Sequence, residues 1–518
     1  MKKNYLFITV FFSGMTALAV EMSASRLIGN VYGSSNLVWA SVIGLILIYL
    51  SAGYWLGGKI ADKSPNFHTF YSIILWGSLS IALVPMASRP LLRLTANAMD
   101  GYQVSILAGS FVTILILFII PVTLLGMVSP FALKLALKDA HNIGKTAGML
   151  SAVSTLGSFV GAFLPVLILI PTIGTYRTFL FFSSVMFIVG SIGLIKYVGR
   201  KKWLKFSWMP ILILGLWLFG VRGADKATEG LIYETESSYN YIQVIEKDGY
   251  RFLRLNDGQG MHSVYHPTQL NYNGPWSQVL AAPFFNPYPH SPESVNRIAI
   301  VGLAAGTTAR QANAVFEDIE IDGFEIDPKI VEAGQTYFDM TQSNLNVIEQ
   351  DGRWGLAHSP HKYDIISIDA YRPPYIPWHM TTVEFFQIVF DHLTDDGVMA
   401  INIGRSPIDR TLVNDLGTTI EQVFPGTFVM DIPESFNTML FAAKKPMGSW
   451  DDFLKNYSML HDSQAAPLLI EAMGVTYLNK QPPIKKTQVY TDDRAPIELL
   501  TNKIVVDFIL SGGTEVLQ

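Results

Sequence analysis

The segment that decides the fold of the C-terminal half reads Arg297-Ile298-Ala299-Ile300-Val301-Gly302-Leu303-Ala304-Ala305-Gly306-Thr307-Thr308. Its apolar run, residues 298–301, is typical of a buried strand, and the small residues of 302–306 predict a tight turn. Residues 308–315 then predict a helix. A strand, a tight turn and a helix in this order are typical of α/β folds, in which ligands bind beyond the carboxyl end of the strand.

The same pattern recurs further along the chain. We expect additional strands at residues 319–324, 345–348, 364–368 and 398–402, the last after an Asp-Gly turn at 396–397. Alternation of this kind predicts a mostly parallel sheet with helices on both faces, a Rossmann-like architecture.

Three of these predicted strands are followed by a carboxylate. Glu325 ends the second strand, where such a side chain accepts hydrogen bonds from both ribose hydroxyls of a nucleoside. Asp351, which precedes Gly352, could accept the exocyclic amine of an adenine, and Asp369 ends a later strand. Since a third glycine of the dinucleotide fingerprint is missing, S-adenosyl compounds fit this pattern better than NAD.

A short alternating region precedes these strands. Residues 241–245 and 251–255 are joined through Asp248-Gly249, which predicts a β-hairpin.

The N-terminal half has a different composition. The whole chain of 518 residues is 50% hydrophobic and only 15% charged, which excludes a disordered or fibrous protein. Seven apolar runs near ~20 residues each predict seven membrane-spanning helices, with a kink or re-entrant turn near Pro121 in the fourth. The runs are 5–22, 36–57, 69–88, 103–127, 148–170, 176–198 and 204–221.

The two halves carry opposite charge. Residues 1–222 hold 17 Lys and Arg against 4 Asp and Glu, a net +13, whereas residues 223–518 hold 20 against 38, a net −18. An acidic half is expected to attract cations and not nucleic acid. Cysteine is absent, so disulfides, thiolate catalysis and cysteine-based metal sites are excluded. In the first predicted span Glu21 and Arg26 require a partner or a polar cavity.

Lysine and arginine are concentrated in the loops on one side of the predicted membrane spans. By the positive-inside rule, the side with more of these residues is cytoplasmic. If the spans alternate, that side holds Lys2, Lys3, Lys59, Lys63, Lys134, Lys138, Lys145, Lys196, Arg200, Lys201, Lys202 and Lys205. We therefore expect a multi-pass protein of the cell (inner) membrane. Seven spans would leave the acidic half outside the cytoplasm, whereas the cytoplasmic origin of S-adenosyl compounds favours the inside.

Taken together, several motifs resemble the spermidine synthase family of polyamine aminopropyltransferases, and the whole chain looks like the membrane-fused members of that family. The motifs are Leu255-Asn256-Asp257-Gly258-Gln259, Gly302-Leu303-Ala304-Ala305-Gly306-Thr307, Phe324-Glu325-Ile326-Asp327-Pro328, Asp351-Gly352-Arg353 and Tyr363-Asp364-Ile365-Ile366-Ser367-Ile368-Asp369-Ala370-Tyr371.

The resemblance implies three parts: a transmembrane domain at 1–222, a β-hairpin lid at 223–292 and a Rossmann-like methyltransferase fold at 293–518. It also implies decarboxylated S-adenosylmethionine as aminopropyl donor, a polyamine acceptor, methylthioadenosine as product, no metal and a homodimer. By carry-over, Glu325 would bind the ribose, Asp351 the adenine, and Asp369 the amines as the catalytic residue. The remaining expected contacts are Gly302, Gly306 and Gly352 to the donor, and Gln259 and Tyr371 to the acceptor. Asp492 and Asp493, in the polar segment 490–496, could supply acceptor contacts that the family makes elsewhere, or could instead cap a helix that starts near Pro496.

The chain departs from the family pattern at three acidic positions. Ala305 replaces the Asp of the glycine-rich turn, and Arg372 stands near the place of a second acid after Asp369. His262 begins a segment where the family has an Asp-Glu pair, although a hydrogen-bonded pocket histidine is the preferred interpretation there. Two alternatives therefore stay open: an S-adenosylmethionine-dependent methyltransferase, lyase or cyclase, and a non-catalytic polyamine or nucleoside sensor or transporter.

Overall fold

The structure is a computed structural model, and it describes residues 2–32, 36–102, 106–137, 143–220, 228–256, 260–316, 318–371, 376–406, 409–463, 465–501 and 503. The chain divides into two compact units. The first comprises residues 1–228 with 236–238, and the second comprises residues 229–235 with 239–518.

The described part of the first unit consists mainly of helices. Seven of its segments are long and apolar enough to cross a membrane, which confirms the predicted number: Asn4–Asn30, Val38–Lys63, Phe67–Leu92, Gly109–Ala136, Ile143–Ile173, Thr175–Tyr197 and Arg200–Gly220. Its helices are α1 (Lys2–Tyr32), α2 (Asn36–Lys63), α3 (Phe67–Tyr102), α4 (Ile106–Gly126), α5 (Val128–Ala136), α6 (Ile143–Leu164), α7 (Ile170–Ile173), α8 (Thr175–Tyr197), α9 (Arg200–Trp203) and α10 (Met209–Gly215). Shorter 3₁₀ or π turns occupy Pro165–Leu169, Leu204–Phe206 and Leu216–Gly220.

The fourth span is continuous through its proline. Pro121 lies inside α4, and the interruption occurs six residues later, at Met127 between α4 and α5. The predicted irregularity therefore exists but is displaced toward the C-terminal end of the span.

Glu21 and Arg26 do not pair with each other. The guanidinium Nε of Arg26 lies 2.9 Å from Oε1 of Glu236, a residue that belongs to the same unit as the membrane helices. The backbone N–H of Thr175 also donates to Oε2 of Glu236, at 3.1 Å. The first unit thus supplies Arg26 with a carboxylate from far along the sequence.

The second unit begins with a small sheet. Its strands β1 (Leu231–Glu236), β2 (Tyr241–Lys247), β3 (Tyr250–Leu255) and β4 (Met261–Tyr265) lie in sequence order, and only the last residue of β1, Glu236, is assigned to the first unit. Antiparallel pairing of β2 with β3 across Asp248 and Gly249, both with positive φ, confirms the predicted hairpin.

A seven-stranded sheet forms the centre of this unit. Its strands are β5 (Arg297–Val301), β6 (Glu320–Phe324), β7 (Leu345–Ile348), β8 (Tyr363–Ile368), β9 (Leu393–Gly404), β10 (Phe428–Asp431) and β11 (Asn437–Ala443). The strand order is β10-β11-β9-β8-β5-β6-β7. β11 pairs antiparallel with both of its neighbours and all other pairs are parallel, as in a methyltransferase-like mixed sheet. The predicted Rossmann-like fold is confirmed.

One predicted boundary is wrong. The Asp-Gly pair at 396–397 does not form a turn before β9 but lies within that strand, which begins at Leu393. Tyr363 pairs with Leu393 and Ile365 with Val398, so β9 bulges out by several residues at this point.

Helices cover both faces of the sheet, as the alternation predicted. They are α11 (Pro275–Gln278), α12 (Thr307–Val315), α13 (Pro328–Tyr337), α14 (Gly352–Ala357), α15 (Val383–His392), α16 (Thr411–Ile420), α17 (Trp450–Asp462) and α18 (Pro467–Leu478). Short 3₁₀ turns lie at Val279–Phe285, Pro292–Ser294 and Trp378–Met380. Along β5, Ile298 and Ile300 pack into one core and Ala299 and Val301 into the other.

Candidate active site

The turn after β5 is shaped by two glycines. Gly302 has φ +90° and Gly306 has φ +85°, in the left-handed region that favours glycine. A Cβ at Gly302 would lie 2.5 Å from the carbonyl oxygen of Asp369, so only glycine lets β5 and β8 end side by side here. The turn therefore holds the ends of β5 and β8 close together and leaves its backbone open to a ligand.

Glu325 lies directly after β6, beside this turn. It is only 7% exposed, and its two oxygens accept the backbone N–H groups of Ala304 at 2.9 Å and Asp327 at 3.0 Å. Burial nevertheless raises the pKa of Glu325 to about 7. Each oxygen keeps a second lone pair, so the carboxylate can still accept two hydroxyl groups of a ligand.

Asp351 caps the helix that follows β7. Its Oδ1 accepts the backbone N–H of Trp354 at 3.0 Å, and its Oδ2 lies 3.0 Å from Nε2 of His379. The hydrogen bond from His379 holds the pKa of Asp351 below its ordinary value. Gly352 is buried as the first residue of α14, and a Cβ there would lie 2.5 Å from Cγ1 of Val301. Asp351 is thus an ionised carboxylate at the edge of the sheet.

Asp369 follows β8 and is partly exposed. Its Oδ1 accepts a hydrogen bond from Nδ2 of Asn402 at 2.9 Å, while its Oδ2 has no hydrogen-bond partner among the described residues. Burial raises the pKa of Asp369 to about 6. A carboxylate with one free oxygen and a pKa near neutrality is suited to accept a proton from a substrate.

Tyr371 is held by the backbone of β9. Its hydroxyl donates to the carbonyl of Asn402 at 3.0 Å and accepts from the N–H of Gly404 at 2.7 Å. Burial raises the pKa of Tyr371 far above its ordinary value. The side chain therefore acts as a fixed neutral wall next to Asp369.

The two C-terminal acids differ from each other. Asp492 forms a two-point ion pair with Arg353, with both N–O distances 2.7 Å, and also accepts the hydroxyl of Thr382 at 2.7 Å. Arg353 in turn donates to the carbonyl of His379 at 2.8 Å. Through Arg353, Asp492 thus holds His379, the histidine that hydrogen-bonds with Asp351. Asp493 is an exposed turn residue.

Strand β4 packs directly onto the glycine turn. The N–H of Ala305 donates to the hydroxyl of Ser263 at 2.9 Å, and the N–H of Val264 donates to Oγ1 of Thr307 at 2.9 Å. On the same strand His262 is half-buried, and desolvation lowers its pKa to about 4, so its imidazole is neutral at pH 7. Gln259, expected to contact the acceptor, lies outside the described residues.

The comparisons with known proteins concern this same unit. Residues 290–449 match the family model described as spermine/spermidine synthase domain. Over these residues the C-terminal unit is similar to a spermine/spermidine synthase domain. The resemblance seen in the motifs is thereby confirmed for this part of the chain.

Two curated relatives are named as polyamine enzymes. One, "Probable polyamine aminopropyl transferase" of Bifidobacterium longum (strain NCC 2705), is 32% identical over 283 residues, which cover 52% of this chain and 62% of the relative. The other, "Polyamine aminopropyltransferase" of Vibrio vulnificus (strain CMCP6), is 28% identical over 222 residues, which cover 41% of this chain and 71% of the relative. The chain thus spans less than two thirds of the length of the first of these relatives.

Solved structures give a weaker likeness. A probable spermidine synthase from Corynebacterium glutamicum is 17% identical, with a TM-score of 0.38, and the match covers 51% of this chain and 99% of that one.

Sequence reasoning overlooked two residues of the site. Asn402 was predicted only as the end of a strand, yet it contacts both Asp369 and Tyr371. His379 was not predicted at all, because the loop between β8 and α15 carries no periodic pattern. A polar residue at the end of the strand next to Asp369 is the signal that could have identified Asn402.

Proposed function

We propose that the chain transfers an aminopropyl group from decarboxylated S-adenosylmethionine to an amine and releases methylthioadenosine. The observation that carries the proposal is the presence of Glu325, Asp351 and Asp369 at the carboxyl ends of three strands of one sheet, around a glycine turn. The family match over residues 290–449 and the names of the two relatives support the same activity.

In this proposal the donor lies across the ends of β5, β6 and β7. Glu325 accepts the ribose hydroxyls on its remaining lone pairs, and Asp351 accepts the exocyclic amine of the adenine. Gly302, Gly306 and Gly352 are proposed to contact the donor through their backbone atoms; a Cβ at any of them would collide with neighbouring residues of the chain. His379 and Arg353 hold Asp351 in place for this contact.

The reaction requires a neutral amine. Its nitrogen attacks the methylene carbon next to the sulfonium, the new N–C bond forms as the C–S bond breaks, and the bonding pair stays on sulfur as neutral methylthioadenosine. The nitrogen then loses a proton, which Asp369 can accept on its free Oδ2. Because the sulfonium is an excellent leaving group, positioning and charge complementarity supply the catalysis.

The acceptor is proposed to be a polyamine, contacted by Asp369, Tyr371, Asp493 and Gln259. Asp492 is not free for this role because Arg353 and Thr382 already bind it. Because acids of the family pattern are absent at three positions, fewer charge-assisted contacts of roughly 1.5–3 kcal/mol each are available, so weak polyamine affinity is expected.

Ala305 also favours a second candidate. An alanine there provides no carboxylate for the amino end of the donor, and its N–H is bound to Ser263. Ordinary S-adenosylmethionine is therefore the alternative donor, for methyl transfer or for a lyase or cyclase reaction. A ligand-binding sensor or transporter is the alternative without turnover.

One assay separates these possibilities. Purified full-length protein is incubated with either donor and a panel of amines, and the products are identified by mass spectrometry. Aminopropyl transfer predicts methylthioadenosine and an amine enlarged by one aminopropyl group, only with the decarboxylated donor. S-adenosylhomocysteine would instead indicate a methyltransferase, and methylthioadenosine without an enlarged amine would indicate a lyase or cyclase. Binding without any product would support the sensor.

We further propose that the chain is a multi-pass protein of the inner membrane and, by the family resemblance, a homodimer. Seven spans and the distribution of Lys and Arg favour an acidic unit outside the cytoplasm. The β-hairpin β2–β3 is proposed to act as part of a lid over the site.

A further inference from the structure

A half-open cavity of about 110 Å³ lies in the membrane unit, among helices α1, α2, α4, α5 and α6. Its polar lining consists of Ser13 and Glu21 on α1, Tyr54 on α2, Ser129 on α5, and Ser154 and Ser158 on α6. The volume corresponds to that of about three to four water molecules at ~30 Å³ each in the liquid, enough for a small ligand. None of the three strand-end carboxylates of the candidate active site lines this cavity.

Glu21 is the exceptional residue of this lining. It lies nine residues before the end of the first span at Asn30, roughly 14 Å along a helix of ~1.5 Å per residue. The other acid in the described spans, Asp62, is exposed and pairs with Lys134 at 2.6 Å. Glu21 has no ion pair or hydrogen bond among the described residues. Arg26, the basic residue five positions further along the same helix, pairs with Glu236 instead. An unpaired carboxylate within a span is costly unless something occupies the place of its counter-ion.

The chemistry of the lining selects the ligand. A carboxylate and several hydroxyl oxygens accept hydrogen bonds, as the three N–H donors of an ammonium group require. The rest of the wall includes the apolar side chains of Leu18, Leu50 and Leu125, which suit a short alkyl chain. We propose that this cavity binds the protonated amino group of a small alkylamine, with the Glu21 carboxylate as its counter-ion.

A divalent metal ion fits this lining less well. Such ions take several charged oxygen ligands, and the described residues contain no group of three His, Asp or Glu side chains that could hold a metal. Glu21 alone supplies one negative charge, which matches a monovalent cation. The apolar part of the wall then favours an organic cation over a hydrated inorganic one.

Equilibrium dialysis of radiolabelled n-propylamine against full-length protein in nanodiscs at pH 7.5 tests the proposal. The measurement is made in an Asp369→Asn background, so that amine binding in the C-terminal unit does not contribute and failure of the proposed transferase activity is a separate outcome. We expect saturable binding of one amine per chain, and Glu21→Gln should raise its Kd at least about tenfold.

Two further variants keep the test decisive. Asp62→Asn removes the other acid of the spans and should leave Kd unchanged. Ala17→Leu keeps Glu21 but fills part of the cavity that Ala17 lines, and should also weaken binding, so it decides the matter if Glu21→Gln fails to fold. Equal Kd values for wild type, Glu21→Gln and Ala17→Leu would overturn the proposal. So would binding of ²²Na⁺ that depends on Glu21 in a protein that does not bind the amine.

Discussion

Three carboxylates at one sheet edge differ in charge state because their neighbours differ. His379 donates to Asp351 and lowers its pKa, whereas burial raises the pKa of Glu325 to about 7 and that of Asp369 to about 6. Asp351 is thus permanently anionic near neutrality, while the other two can exchange a proton in the working range. Asp369, which is proposed to accept the proton, has a pKa of about 6, so near neutral pH it is mostly ionised and can take up a proton.

Substitution of Asp369 tests that role. Asp369→Asn keeps the size of the side chain but removes the proton acceptor, so we expect kcat for aminopropyl transfer to fall about 100-fold or more, with a smaller effect on methylthioadenosine binding. Asp395→Asn serves as the matched control, because Asp395 is an 83% exposed surface acid. Unchanged kcat in Asp369→Asn would show that another group takes the proton.

The ionisation of Glu325 predicts a pH dependence of donor binding. Only the ionised carboxylate accepts both ribose hydroxyls, and its pKa in the folded protein is about 7, raised from 4.5. As pH falls below 7 the carboxylate gains a proton, so Kd for methylthioadenosine should rise about tenfold per pH unit, with Asp369 contributing below its own pKa of about 6. Titrations from pH 5.5 to 8.5 measure this slope, which Glu325→Gln should reduce. An identical slope in that variant would refute the assignment.

At the scale of elements, the turn between β5 and α12 brings the strand ends together. Gly302→Ala would combine an unfavourable positive φ with a close contact to the backbone of Asp369. We expect it to lower Tm and to cost at least about 1–2 kcal/mol of binding free energy for methylthioadenosine, about tenfold in Kd. Gly426→Ala is the control, because a Cβ there would meet no atom within 4 Å. Full affinity in Gly302→Ala would separate the turn from donor binding.

Strands and helices with a clear period were predictable, and the irregular segments were not. β7 was predicted with the bounds Leu345–Ile348 that the structure has, because its apolar residues are bounded by polar ones. The Asp-Gly pair at 396–397 led to a wrong prediction of a turn, because residue types that are typical of turns lie here in a bulge of β9. Asp492 could not be assigned from the sequence, since its partner Arg353 lies 139 residues away.

The whole molecule joins an apolar, basic helical unit to an acidic α/β unit. If all seven apolar helices cross the membrane with the positive side in the cytoplasm, as we propose, the C-terminal unit lies outside the cytoplasm. A C-terminal alkaline phosphatase fusion, which is active only outside the cytoplasm, should therefore be active, and a green fluorescent protein fusion should be dark. A bright, phosphatase-negative result would mean an even number of crossings and direct access to cytoplasmic donor.

Isothermal titration calorimetry of full-length protein with methylthioadenosine at pH 8 tests the central claim most directly. We expect saturable heat for one site per chain, together with at least a tenfold rise in Kd for Glu325→Gln and for Asp351→Asn. No heat in the wild-type protein, or unchanged affinity in both variants, would contradict the assignment of this sheet edge as an adenosyl-binding site.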